Sequence, residues 1–326
     1  DKELFKTLLR KIGSGENTSQ SLSREESAIA LKLILMGKAT PAQIGAFMIA
    51  HRIRRPEPEE LAGMIDTYLE LGPRLQSNSK QRRPICFGMP FDGRNRIAPI
   101  YPLTSLVLLS AGQPVILHGG QRMPIKYGVS SVELFDQLGL DLTGLTTCEL
   151  QNCFEQNNFA LVHQPDHFPL AENLISYRDE IGKRPPLASM ELIWTAHTGE
   201  HLLISGFVHP PTEERARKTL ALLGEMNHIS IKGLEGSIDL PISRACIIGN
   251  VEKNNLERII LHPNDYKCSG KDVEWRNLNQ WKFDAIAALE NKGPLQKALR
   301  WNAAVYLWLG KATNSLEDGL KKAEDL

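Results

Sequence analysis

Two short segments hold most of the residues able to do chemistry in this 326-residue chain. The first runs from Gly88 through Met89, Pro90, Phe91 and Asp92 to Gly93, with Arg94, Asn95 and Arg96 directly behind it. The second is His118-Gly119-Gly120. Glycine lets a backbone approach an anion closely, and guanidinium forks hold phosphates and carboxylates. Between Lys80 and Lys126 there are seven Lys or Arg against one acid, Asp92, so the stretch attracts anions. The predicted ligand set is Gly88, Asp92, Gly93, Asn95, Arg96, His118, Gly119, Gly120, His167 and Arg178.

Two histidine pairs stand apart. His197-Thr-Gly-Glu-His201 matches H-x-x-E-H, which in zinc proteases sets two histidines on one helical face. Gly199 weakens a helix there and no third ligand is evident, so the expectation is a turn or helix carrying polar residues near the cleft. His163-Gln-Pro-Asp-His167 has similar spacing, but Pro165 interrupts a helix, and His167 is read as a cleft residue. The five cysteines form no C-x-x-C pair and read as reduced, small buried side chains.

These residues need a frame. An apolar run at 85–87, a loop, a helix over 103–111, a strand over 114–117 and a second loop form the order that brings loops to one edge of a parallel sheet. Further strand-like runs at 160–162, 229–231, 245–248 and 258–261 alternate with helical patterns at 132–138, 213–223 and 283–290. That alternation predicts an α/β domain over 83–326 with a mostly parallel sheet flanked by helices. Residues 1–75 read as a small all-α domain of four helices, joined by helices from about 170–200. Leu4, Leu8 and Ile12 mark the inward face of the first, with Gly13 as its left-handed stop. A capping box at Ser23–Glu26 opens the second, with Ile29, Leu33 and Met36 inward and Gly37 ending it. Thr40–Gln43 opens the third, with Ile44, Phe47 and Met48 inward; Pro58 opens the fourth, with Leu61, Met64, Ile65, Tyr68 and Leu69 inward. Residues 76–84, polar and basic, read as the boundary. Pro294 opens a helix through Leu307, and Ser315 caps a last one.

Formal net charge is zero, which argues against a whole surface built to grip nucleic acid. No stretch approaches the ~20 apolar residues of a membrane span, no signal peptide is visible, and a cytoplasmic protein is expected. Arg52, Arg54 and Arg55 together with Lys80, Arg82 and Arg83 form a possible basic stripe for a nucleic-acid backbone, with few aromatics to stack on bases.

The segment LSREESAIALKLILMGKATPAQIGAFMIAHRIRRPEPEELAGMIDTYLEL is very similar to the helical domain of anthranilate phosphoribosyltransferases and related nucleoside phosphorylases, the glycosyl transferase family 3. ALRWNAAVYLWLGKATNSLEDGLKKAEDL resembles their C-terminal helices. The resemblance implies a homodimer through the helical domain and an interdomain cleft that binds phosphoribosyl pyrophosphate with Mg2+. It also implies that the family's first phosphate loop, GTGGDG, stands here as GMPFDG, keeping Gly88, Asp92 and Gly93. The following hydroxyl motif is Pro99-Ile100-Tyr101-Pro102, and the next loop keeps His118 and Gly119. The acidic pair that holds magnesium aligns with Glu235-Gly236, one carboxylate for a dication, and Arg178 matches the acceptor-binding arginine. The expectation is therefore a phosphorylated, anionic ligand without phosphoribosyl transfer to anthranilate at a normal rate; the alternative is a non-catalytic, nucleic-acid-binding paralogue.

Overall fold

The computed structural model describes residues 1–326. Four helices open the chain: α1 (Lys2–Gly13), α2 (Arg24–Leu35), α3 (Pro41–Arg54) and α4 (Pro58–Leu71). The capping boxes at Ser23–Glu26 and Thr40–Gln43 both form, each side-chain oxygen accepting from the backbone N–H three residues on. Gly37 ends α2 at φ 67°.

Two inward faces differ from the expectation. In α1, Leu4 is 47% exposed while Phe5 is fully buried, and Gly13 stays inside the helix without a left-handed turn. In α2 the buried residues are Ala30, Leu31, Ile34 and Leu35, whereas Ile29 and Leu33 are half-buried and Met36 is exposed. An almost continuous apolar run has no single face by periodicity, so the packing against α4 selected one.

Strands β1 (Ile85–Gly88), β2 (Val115–Gly119), β3 (Phe159–His163), β4 (Leu202–Gly206), β5 (His228–Ile231), β6 (Cys246–Glu252) and β7 (Asn255–Leu261) form one sheet. Their order is β3-β2-β1-β4-β5-β6-β7, parallel through β5 and antiparallel beyond it. Its helices include α5 (Tyr101–Ser110), α6 (Ser131–Gln137), α7 (Thr147–Asn157), α8 (Ile175–Glu180), α9 (Leu187–Glu191), α10 (Pro210–Leu222), α11 (Leu278–Leu289), α12 (Gln296–Leu309) and α13 (Leu316–Asp325). Strand β4 has no counterpart in the sequence reading, although it lies beside β1 at the middle of the sheet. Its run, LLISG, is short and follows the H-x-x-E-H pattern, which draws the eye to a helix or turn. Helix α7 is also unanticipated, despite its Thr146–Glu149 capping box.

Successive strand residues point to opposite faces. Ile85, Phe87, Val115, Leu117, Phe159, Leu161, Leu202 and Ile204 pack into one core with α5, α11, α12 and α13. Cys86, Ile116, Ala160, Val162 and Leu203 face the other, which they share with α1–α4 and with Phe168, Leu174, Leu187 and Trp194. The sheet therefore rests directly on the helical layer, and residues 168–194 fill the seam. Where the chain crosses between the two, Leu75–Gln76 pairs in parallel with His197–Thr198. No helix is long and apolar enough to cross a membrane.

Candidate functional site

The chain leaves β1 for β2 on one side and returns to β4 on the other, so the switch point lies at the carboxyl ends of β1 and β4, where such sheets place ligands. A cavity of about 290 Å³ sits there. Pro90, Phe91 and Asp92 after β1, Phe207 and His209 after β4, and Glu235 after β5 line it from below. Arg178, Arg184 and Glu191 line it from the helical side. Sequence reasoning missed Phe207, His209 and Thr212 because it missed β4; the proline-initiated helix that His209 precedes and Thr212 belongs to was the available signal.

The cations of the cleft are already matched by acids. Arg178 is buried and forms a two-pronged pair with Glu191. Arg184 pairs with Asp92, its Nε 3.2 Å from the carboxylate. Lys126 Nζ is 2.7 Å from Glu235 Oε1. Arg94, whose neighbours suggested an exposed anion donor, is 1% exposed and turned inward. Its Nε donates to Glu235 Oε2 at 2.9 Å, and its Nη1 to Asp239 Oδ2 at 2.6 Å and Ser237 Oγ at 3.0 Å. The reason is a buried acid with no other cation in reach: Asp239 is fully buried and needs a partner. Asn95 and Arg96 are exposed at the rim.

Glu235 does not fit the metal role the resemblance implies. Its Oε1 takes Lys126 and the Asn95 N–H, and its Oε2 takes Arg94 and the N–H groups of Arg96 and Ile97. Burial opposes the charged form, yet Lys126, Arg94 and these amides hold its carboxyl down at about 2. Both oxygens are spent on donors, and a dication there would face two cations. The residues present are unsuited to Mg2+.

The phosphate loop is closed as well. Met89, Pro90, Phe91, Gly93, His118, Gly119 and Gly120 enclose only about 10 Å³, roughly room for one water. Phe91 stacks on His118 with ring centroids 5.0 Å apart, and the Met89 N–H donates to His118 Nε2 at 3.2 Å. That bond uses one backbone amide of the loop, and burial keeps His118 neutral, pushed down to about 3. Tyr101 fills the place of the family's hydroxyl motif, its Oη 2.8 Å from Ser131 Oγ. Gly88 serves packing: a Cβ there would lie 1.8 Å from the Leu192 carbonyl oxygen.

His167 does not reach the cleft. Its Nδ1 accepts from the His163 N–H at 2.9 Å and its Nε2 donates to the Leu145 carbonyl at 2.9 Å, so both nitrogens hold a loop together. Its proline-interrupted spacing gave no hint of that use. Of the five cysteines expected to be buried, Cys86, Cys246 and Cys268 are, whereas Cys148 is exposed and Cys153 half-buried on α7; burial pushes the Cys86 thiol up to about 12 and leaves it no nucleophile on its own. The basic stripe divides: Arg82 and Arg83 precede β1 at one edge of the sheet, while Arg96 follows it at the other and Arg52 reaches the main chain of Arg184.

Comparison with known proteins agrees with this architecture. The helical bundle domain of the glycosyl transferase family matches residues 6–72, and the a/b domain of that family matches residues 92–326. Anthranilate phosphoribosyltransferase from Acetivibrio thermocellus is 26% identical over 328 residues, covering 99% of this chain and 92% of that protein. The crystal structure of anthranilate phosphoribosyltransferase from Thermus thermophilus superposes with a TM-score of 0.79 at 20% identity, over 99% of this chain and 93% of that one. Anthranilate phosphoribosyltransferase from Saccharomyces cerevisiae in complex with PRPP and Mg superposes at 0.80 with 14% identity, over 100% and 93%. With its helical bundle, its mostly parallel sheet and both domains matched, this chain belongs to the glycosyl transferase family, as an anthranilate phosphoribosyltransferase-like protein.

Proposed function

We propose that this chain binds an anionic, phosphorylated ligand in the interdomain cleft and does not transfer phosphoribosyl groups to anthranilate at an ordinary rate. One observation carries the reading. Where a diphosphate would lie against the loop after β1, Phe91 stacked on His118 leaves about 10 Å³. Beside it, the 290 Å³ cavity offers Arg184 and Lys126, both able to trade an intramolecular carboxylate for a ligand's phosphate. When Lys126 turns to the ligand, Arg94 and the N–H groups of Asn95, Arg96 and Ile97 still hold Glu235, so binding proceeds without Mg2+.

The test is calorimetry and thermal shift with pyrophosphate and phosphoribosyl pyrophosphate, each with and without Mg2+, beside a turnover assay with anthranilate. Stabilisation that ignores Mg2+ and weakens at least tenfold in Arg184→Gln is expected. Appreciable Mg2+-dependent turnover of anthranilate refutes the reading.

A second reading, a nucleic-acid backbone held by surface cations, is favoured by the exposure of Arg52, Arg55, Arg96 and Lys183. It predicts salt-dependent retention on single-stranded DNA that is lost in Arg52→Gln/Arg96→Gln; retention indifferent to both changes removes it. A homodimer through the helical domain accords with the exposure of Leu4, Met36 and Ile53 there, at 47%, 47% and 76%. Five free cysteines accord with a cytoplasmic location.

A further inference from the structure

Outside the cleft, three metal-binding side chains from distant parts of the chain meet in the interior. Cys86 of β1, His197 of the short crossing strand and His201 just before β4 are 1%, 3% and 8% exposed, and their ligand atoms lie within 4.8 Å of one another. The two imidazoles face each other through the same atom type, Nδ1 to Nδ1 at 3.1 Å. Each far nitrogen has a polar atom close by. His197 Nε2 lies 2.9 Å from Ser77 Oγ, and His201 Nε2 lies 2.7 Å from Glu225 Oε1.

Those outer partners decide what the inner nitrogens are. With its proton on Nε2, the atom facing the Glu225 carboxylate, His201 presents a lone pair on Nδ1. Ser77 can play the same part for His197. Two lone pairs 3.1 Å apart in a dry interior repel unless something positive lies between them. The spacing is close to the roughly 3.3 Å expected between two nitrogens of a tetrahedral zinc site with bonds near 2 Å. A carboxylate behind a ligating histidine is also the usual outer partner of such sites.

We propose that Cys86, His197 and His201 form a Zn2+ site, with a water as fourth ligand and Glu225 and Ser77 orienting the imidazoles. Thiolate and imidazole together suit zinc far better than magnesium or calcium. The site is separate from the cleft, because it lies at the amino end of β4 while the cleft lies beyond its carboxyl end, about 15 Å away along five residues. Its place indicates its role. Leu75 donates to the Ala196 carbonyl at 2.9 Å and pairs with His197, so zinc there fastens the crossing from the helical layer to the strand at the sheet's centre.

The experiment uses the full chain, stripped with a chelator and reloaded with Zn2+ or Co2+. One zinc per chain by elemental analysis is expected, with a rise in Tm on reloading. In a chain with the accessible Cys148 and Cys153 changed to serine, Co2+ is expected to show a thiolate-to-metal charge-transfer band that is lost on Cys86→Ser. Tryptic cleavage after Lys80 or Arg82 in the exposed linker should slow on zinc loading. Cys86→Ser and His201→Gln should each lose the metal, and Glu225→Gln should bind it about 10- to 100-fold more weakly. Should either ligand variant fail to fold, the cobalt spectrum of Cys148→Ser/Cys153→Ser, with Cys86 intact, still decides. Absence of that band, or of stoichiometric zinc, overturns the proposal and leaves a histidine pair sharing a proton.

Discussion

Replacing Glu235 by glutamine removes one negative charge from a site that holds Arg94, Lys126 and three backbone amides in place. The carboxylate side chain is 5% exposed, so its charge is little screened by solvent. Its pKa falls from the ordinary 4.5 to about 2, which corresponds to about 3 kcal/mol of folding stability. Breaking a buried pair by removing one partner costs a comparable ~3–5 kcal/mol. The folded-state value lies below the unfolded one, so this stability is present in full above pH 4.5 and is lost as the pH falls to about 2. Denaturant unfolding of wild type and Glu235→Gln at about pH 7 should therefore differ by about 3 kcal/mol, and the gap should narrow below pH 4.5. Adding Mg2+ to the wild type should leave its midpoint unchanged. A gap under ~1 kcal/mol at neutral pH, one that does not narrow in acid, or a Mg2+-induced shift would show that Glu235 is not tied up as described.

Two further outcomes follow from packing and burial. Gly63→Ala puts a Cβ 2.1 Å from the Arg24 carbonyl oxygen and 2.9 Å from the Ala28 nitrogen, so α2 and α4 must move apart. Such overpacking costs at least ~1–3 kcal/mol, and an unchanged Tm would contradict it. His118, pushed to about 3, should show no ring titration by NMR between about pH 7 and pH 4. Because the unfolded chain takes up that proton near pH 6.5 and the native chain does not, His118 makes stability fall as the pH drops from 6.5 towards 3; a ring titrating near 6.5 would place it in solvent.

The helical layer was legible because its signals are local. Ser23, Thr40 and Ser315 cap helices through bonds three residues long, and Gly37 stops α2 by its own φ. The α/β frame was legible through alternation, except at β4, where five residues carry too little pattern to separate a central strand from a turn. The inward faces of α1 and α2 were legible only in part, since the apolar stripe of α1 is wider than one row and the apolar run of α2 is nearly continuous, so the neighbouring helices select which residues are buried.

The chain's own order of residues determined the family, the two layers, and the presence of Met89, Pro90 and Phe91 in the loop after β1. Tertiary structure decided what the surviving polar residues do. Arg94 turned inward to Asp239, 145 positions away, and His167 closed a loop on Leu145. Cys86 joined two histidines more than a hundred residues further on. A buried charge or ring nitrogen takes whatever partner folding brings within about 3 Å, and no local spacing encodes that choice.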